Sequence, residues 1–99
     1  MKKNIVLVED HPVFREGLAE IINREKDLRV CGEAGDAEQG LEAIARLQPD
    51  LAVVDLALPG RSGLQMIKKL RSFNRQVKVL VLSMHDEAHY AVKVLRAGG

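Results

Sequence analysis

The chain is 99 residues long, 46% hydrophobic and 29% charged, with a formal charge of +1. That composition fits one small globular domain, and it argues against disorder and against a strongly basic nucleic-acid-binding face. Apolar runs reach about four residues, far short of the roughly 20 that span a bilayer, and Glu9-Asp10 cuts off the stretch behind Lys2-Lys3 too early for a signal peptide. No membrane association is expected. The lone Cys31 has no internal disulfide partner and is expected as a buried, inert thiol in a reducing cytoplasm.

Along the chain, strand and helix patterns alternate. Ile5-Val6-Leu7-Val8 is continuously apolar, the pattern of a strand covered on both faces. Phe14, Leu18, Ile21 and Ile22 then fall on one helical face. Leu28-Arg29-Val30-Cys31 carries a charge, as suits an edge strand. Ala37, Leu41, Ile44 and Ala45 form a second helical stripe behind a cap at Asp36. Leu51-Ala52-Val53-Val54 is a third strand. Ser62 with Gln65 forms a capping box ahead of Leu64, Ile67 and Leu70. Val79-Leu80-Val81-Leu82 is the fourth strand, and Ala88, Ala91, Val92 and Leu95 form a last helical stripe that stops at Gly98-Gly99.

Short strands joined by helices imply parallel pairing through right-handed crossovers, hence an α/β, open, doubly wound sheet. The wholly apolar fourth strand reads as the interior of a longer sheet. With no fifth strand after it, the domain over residues 1–99 is expected to be incomplete at its C-terminus.

In such a sheet the C-terminal strand ends share one rim, where ligands bind. Glu9 and Asp10 follow strand one, Asp55 follows strand three and Ser83 follows strand four, so three carboxylates and a hydroxyl converge there. Two unit charges about 4 Å apart repel by roughly 4 kcal/mol near a protein surface, which protonation or a cation must offset. Mg²⁺ commonly takes one or two carboxylates and keeps waters and phosphate oxygens. A carboxylate beside it can act as a nucleophile toward phosphorus, and the metal neutralises the transferring group.

At these residues the chain resembles the receiver domain of bacterial two-component response regulators. Val8-Glu9-Asp10-His11-Pro12 is similar to the acidic pair that opens such receivers. The segment from Val54 to Gly63 resembles their phosphorylation site, and Val81-Leu82-Ser83-Met84-His85 their strand-four hydroxyl segment. Leu82 to Asp86 and the ending Leu95-Arg96-Ala97-Gly98 resemble the NarL/LuxR-type class of transcriptional regulators.

The resemblance implies a flavodoxin-like sheet in the order 2-1-3-4, without the family's fifth strand and fifth helix. It implies that Asp55 accepts a phosphoryl group from a sensor histidine kinase. Mg²⁺ would be held by Asp10, Asp55 and the backbone carbonyl of Ala57, with Glu9 acting through water, and Ser83 would bind a phosphoryl oxygen. Such a domain is regulatory rather than an enzyme in the usual sense, and it reaches DNA only through an effector domain absent from this chain. The family's lysine after a fifth strand has no counterpart here, and Lys93, on the last helix, does not take its role. The competing reading is a truncated receiver that acts through protein contacts alone. The unfinished sheet predicts a homodimer or larger oligomer built on strand four or helix four.

Other patterns carry less. His85 and His89 with Asp86 and Glu87 lack the order of a zinc-hydrolase motif and a third ligand, and read as surface histidines. Lys68, Lys69, Arg71, Arg75 and Lys78 lack interleaved aromatics and read as a solvated basic face. Gly32, Gly35 and Gly40 follow strand two and make no dinucleotide fingerprint. Phe14 and the methionines read as core.

Overall fold

The structure, a computed structural model, describes residues 2–58 and 62–82. In chain order these form β1 (Lys3–Val8), α1 (Pro12–Asn23), β2 (Leu28–Ala34), α2 (Ala37–Leu47), β3 (Leu51–Asp55), α3 (Gly63–Arg71) and β4 (Lys78–Leu82). The strands pair in parallel in the order β2-β1-β3-β4, as the sequence predicts. The predicted helix four lies outside the described residues, as do Ser83, His85, His89 and Lys93.

Alternation along β1 divides the core. Ile5 and Leu7 pack with Leu18, Ala19 and Ile22 of α1, whereas Val6 and Val8 pack with Leu41 and Ile44 of α2 and Met66 and Leu70 of α3. Both faces of β1 and β3 are therefore covered, which is why their sequences are continuously apolar. The β2 strand lies at the edge and exposes Arg29 and Glu33, matching its interrupted pattern. Its pairing with β1 skips a residue between Val30 and Gly32, so Cys31 is an unmatched bulge residue. Cys31 is only partly buried, against expectation, although burial still raises its thiol pKa.

Two helical stripes differ from the predicted ones. In α2 the buried residues are Ala37, Gly40, Leu41, Ala43 and Ile44, while Ala45 is exposed. One residue past Ile44 is a turn of about 100°, which carries Ala45 off the core face. In α3 the buried line is Gly63, Met66 and Leu70, and Leu64 is 61% exposed. Leu64 and Ile67 suggest a wider stripe in the sequence, but the close approach of Gly63 to the Asp55 and Leu56 backbone sets the rotation of the helix.

The helix ends follow local chemistry. The Gln39 N–H donates to Asp36 Oδ1 at 2.8 Å, and Ser62 and Gln65 complete the predicted capping box. The α1 helix starts with Pro12 in its first turn and has no side-chain cap from its N-cap residue, His11.

Candidate functional site

Because β1 and β3 are adjacent and parallel, their C-terminal ends meet at one rim. The chain order of the sheet reverses there, since β2 lies on one side of β1 and β3 on the other. Val8 pairs with Val54, so Glu9 and Asp55, the next residues on each strand, emerge side by side. Both are buried, with exposures of 2% and 4%, whereas the Asp10 side chain remains 30% exposed. Carboxylate oxygens of Glu9, Asp10 and Asp55 and a ring nitrogen of His11 all lie within 4.8 Å of one another.

This crowding has electrostatic consequences. Burial first, and then the neighbouring Asp55 carboxyl, push the Glu9 pKa above the ordinary carboxylate range; hydrogen bonds from His11 oppose the shift. The Glu9 Oε1 atom accepts from the His11 backbone N–H at 3.0 Å and meets His11 Nδ1 at 2.8 Å. His11 Nδ1 also lies 3.1 Å from Asp10 Oδ1. The bond to Glu9 is the main reason the His11 pKa is raised, with the charge of Asp10 adding to it.

Two scaffold features hold the rim in place. The Arg15 guanidinium, from the first turns of α1, donates from Nη1 to the Glu9 carbonyl at 2.7 Å, and its Nε lies 3.3 Å from Glu33 Oε1 on β2. Behind Asp55, the Ala57 N–H donates to Asp55 Oδ1 at 3.0 Å and fixes the carboxylate. Gly63 N–H donates to the Leu56 carbonyl at 3.0 Å. A Cβ at residue 63 would fall 2.5 Å from the Asp55 carbonyl oxygen and 2.8 Å from Leu56 Cα, so only glycine fits there.

The donor set fits a divalent cation. A six-coordinate ion with bonds near 2.1 Å holds its ligand oxygens about 3 Å apart when adjacent and about 4 Å apart when opposite. Atoms already within 4.8 Å of one another need only small movements to close around it. The Asp10 Oδ1 atom is shielded from solvent and faces the His11 ring nitrogen at 3.1 Å.

A family model, the response regulator receiver domain, matches residues 5–99. The chain belongs to this family. The receiver is 37% identical over 94 residues to the nitrate/nitrite response regulator NarL of Escherichia coli K12, covering 95% of this chain and 44% of that protein. It is 35% identical over 97 residues to the transcriptional regulatory protein DegU of Brevibacillus brevis, covering 98% of this chain and 41% of DegU. It thus spans less than half the length of these relatives. Among solved structures, the receiver domain of NarL from Mycobacterium tuberculosis superposes with a TM-score of 0.81 at 28% identity, covering 99% of this chain and 98% of the other. A LuxR-family response regulator from Aurantimonas sp. SI85-9A1 gives 0.81 at 33% identity, over all of this chain and 71% of its own.

Of the predicted site residues, the receiver fold brings Glu9, Asp10 and Asp55 together and places Ala57 beside Asp55 through its N–H. Ser83 follows Leu82 in the sequence but lies outside the described residues. Three contributors were not singled out from the sequence. His11 sat inside the acidic motif as a mere neighbour. Arg15 and Gly63 act through backbone atoms of Glu9, Asp55 and Leu56, which no side-chain pattern displays. None of the described helices is long and apolar enough to cross a membrane.

Proposed function

We propose that this receiver is the phosphoacceptor module of a NarL/LuxR-type response regulator, and that Asp55 accepts a phosphoryl group from a sensor histidine kinase. The observation that carries this reading is the buried Asp55 carboxylate, held by the Ala57 N–H and facing Glu9 and Asp10 at the rim of a receiver sheet. Asp55 supplies the attacking oxygen, and the phosphorus–nitrogen bond of the donor phosphohistidine breaks as the imidazole leaves. Asp10, Asp55 and the Ala57 carbonyl would hold Mg²⁺, with Glu9 acting through water; when bound, the ion neutralises charge on the transferring group. Ser83 is assigned to a phosphoryl oxygen. In the complete regulator the signal would pass to a DNA-binding output domain, and a second copy of the chain is the proposed partner within the assembly. The setting is the cytoplasm.

The experiment is phosphorylation of the purified chain by a small phosphodonor such as phosphoramidate, followed by mass spectrometry. Wild type with Mg²⁺ is expected to gain one phosphoryl group, and Asp55→Asn none. A phosphoryl group that survives Asp55→Asn places the nucleophile elsewhere.

A further inference from the structure

We propose that His11 is itself a metal ligand, and that it turns the rim from a site for hard ions alone into one that favours borderline divalent ions such as Zn²⁺ and Co²⁺. The inference rests on the cation site proposed above and adds a specificity-determining residue to it. His11 Nδ1 lies 2.8 Å from Glu9 Oε1 and 3.1 Å from Asp10 Oδ1. Adjacent ligands around one small ion, with bonds near 2.1 Å, are about 3 Å apart, so relative to Asp10 Oδ1 the ring nitrogen already stands at a ligand's spacing, while Glu9, which acts through water, steadies the ring by its hydrogen bond. It also falls within the same 4.8 Å cluster as the three carboxylates.

Two further features make the nitrogen available. The His11 backbone N–H is bonded to Glu9 Oε1 at 3.0 Å, so the residue keeps its place when the ring bond to Glu9 is given up. The ring is 58% exposed, so a proton displaced from Nδ1 by the metal can pass to solvent. A set of three carboxylates alone suits Mg²⁺ and Mn²⁺, whereas imidazole adds preference for zinc, iron and nickel.

The test is competition calorimetry of Zn²⁺ against Mg²⁺ on the full chain carrying His85→Ala and His89→Ala, which leaves His11 as the remaining histidine of three. His11→Ala, and separately His11→Gln, are expected to lower the Zn²⁺-to-Mg²⁺ affinity ratio by roughly tenfold or more, while Mg²⁺ binding persists. The Co²⁺-loaded parent is expected to show a paramagnetically shifted, exchangeable imidazole N–H that both variants lose. An unchanged ratio overturns the proposal. So does equal tightening of both ions, since the ring would then be only an occupant that any cation displaces. Failure of every divalent ion to bind the parent would instead sink the cation site itself.

Discussion

Glu9 is almost wholly buried beside Asp55, and His11 closes on it from the solvent side. Both groups bind their protons more tightly in the folded chain, because Glu9 is desolvated and His11 gains a carboxylate partner. A raised pKa of either kind adds stability below the unfolded value and loses it as the pH rises through the folded one. The loss begins above 4.5 for Glu9 and above 6.5 for His11. In a chelator, the melting temperature is therefore expected to fall as the pH is raised past neutrality, and Glu9→Gln is expected to raise it by a few degrees there. Calorimetric scans across pH check this; a profile that climbs with pH contradicts it. Gly63 gives a second expectation at this scale. Gly63→Ala forces a methyl against the Asp55 and Leu56 backbone, a clash expected to cost about 1–3 kcal/mol in denaturant melts and to slow phosphorylation of Asp55.

The two ends of α2 make opposite predictions. At the start, Asp36 accepts the Gln39 N–H, and Asp36→Ala is expected to lose about 1 kcal/mol. At the end, Gln48 takes a left-handed conformation, with φ of 48° and its N–H bonded to the Ile44 carbonyl. That conformation costs a non-glycine residue about 1–2 kcal/mol, partly offset by the greater freedom glycine has when unfolded. Gln48→Gly is thus expected to stabilise by about 0.5–1 kcal/mol. Urea titrations of the two variants check both signs, and a loss of stability in Gln48→Gly would be the surprise. Neither change touches the rim, so metal binding is expected to be unaltered in both.

For the molecule as a whole, β4 is less well covered than β1 and β3. Val79, Leu80 and Val81 are half-buried, although their sequence is as apolar as that of the central strands. A second copy covering this region would complete the burial, and closed two-fold association is the commonest outcome. Sedimentation across a dilution series is expected to show a concentration-dependent dimer. A compact monomer at every concentration, with β4 amides strongly protected from exchange, would exclude it.

How much of this was legible in advance depended on the range of the interaction. The four strands, the Asp36 and Ser62 caps and the parallel order follow from apolar runs, short polar cap residues and crossover handedness, all of which act within a few residues or apply to any chain. The placement of Glu9 and Asp10 near Asp55 also followed, because the C-terminal ends of parallel strands share a rim. The rotations of α2 and α3 did not follow. They depend on where Gly40 meets Val8 and where Gly63 meets the Asp55 backbone, contacts between residues distant in the chain. The roles of Arg15 and His11 were hidden for a related reason: one holds a backbone carbonyl, and the other gains its importance only when Glu9 is buried beneath it. Sequence by itself determined which groups reach the rim; only tertiary packing decided which are dry and which stand within a few ångströms of one another, because burial and such separations arise from the assembled sheet and not from any local pattern.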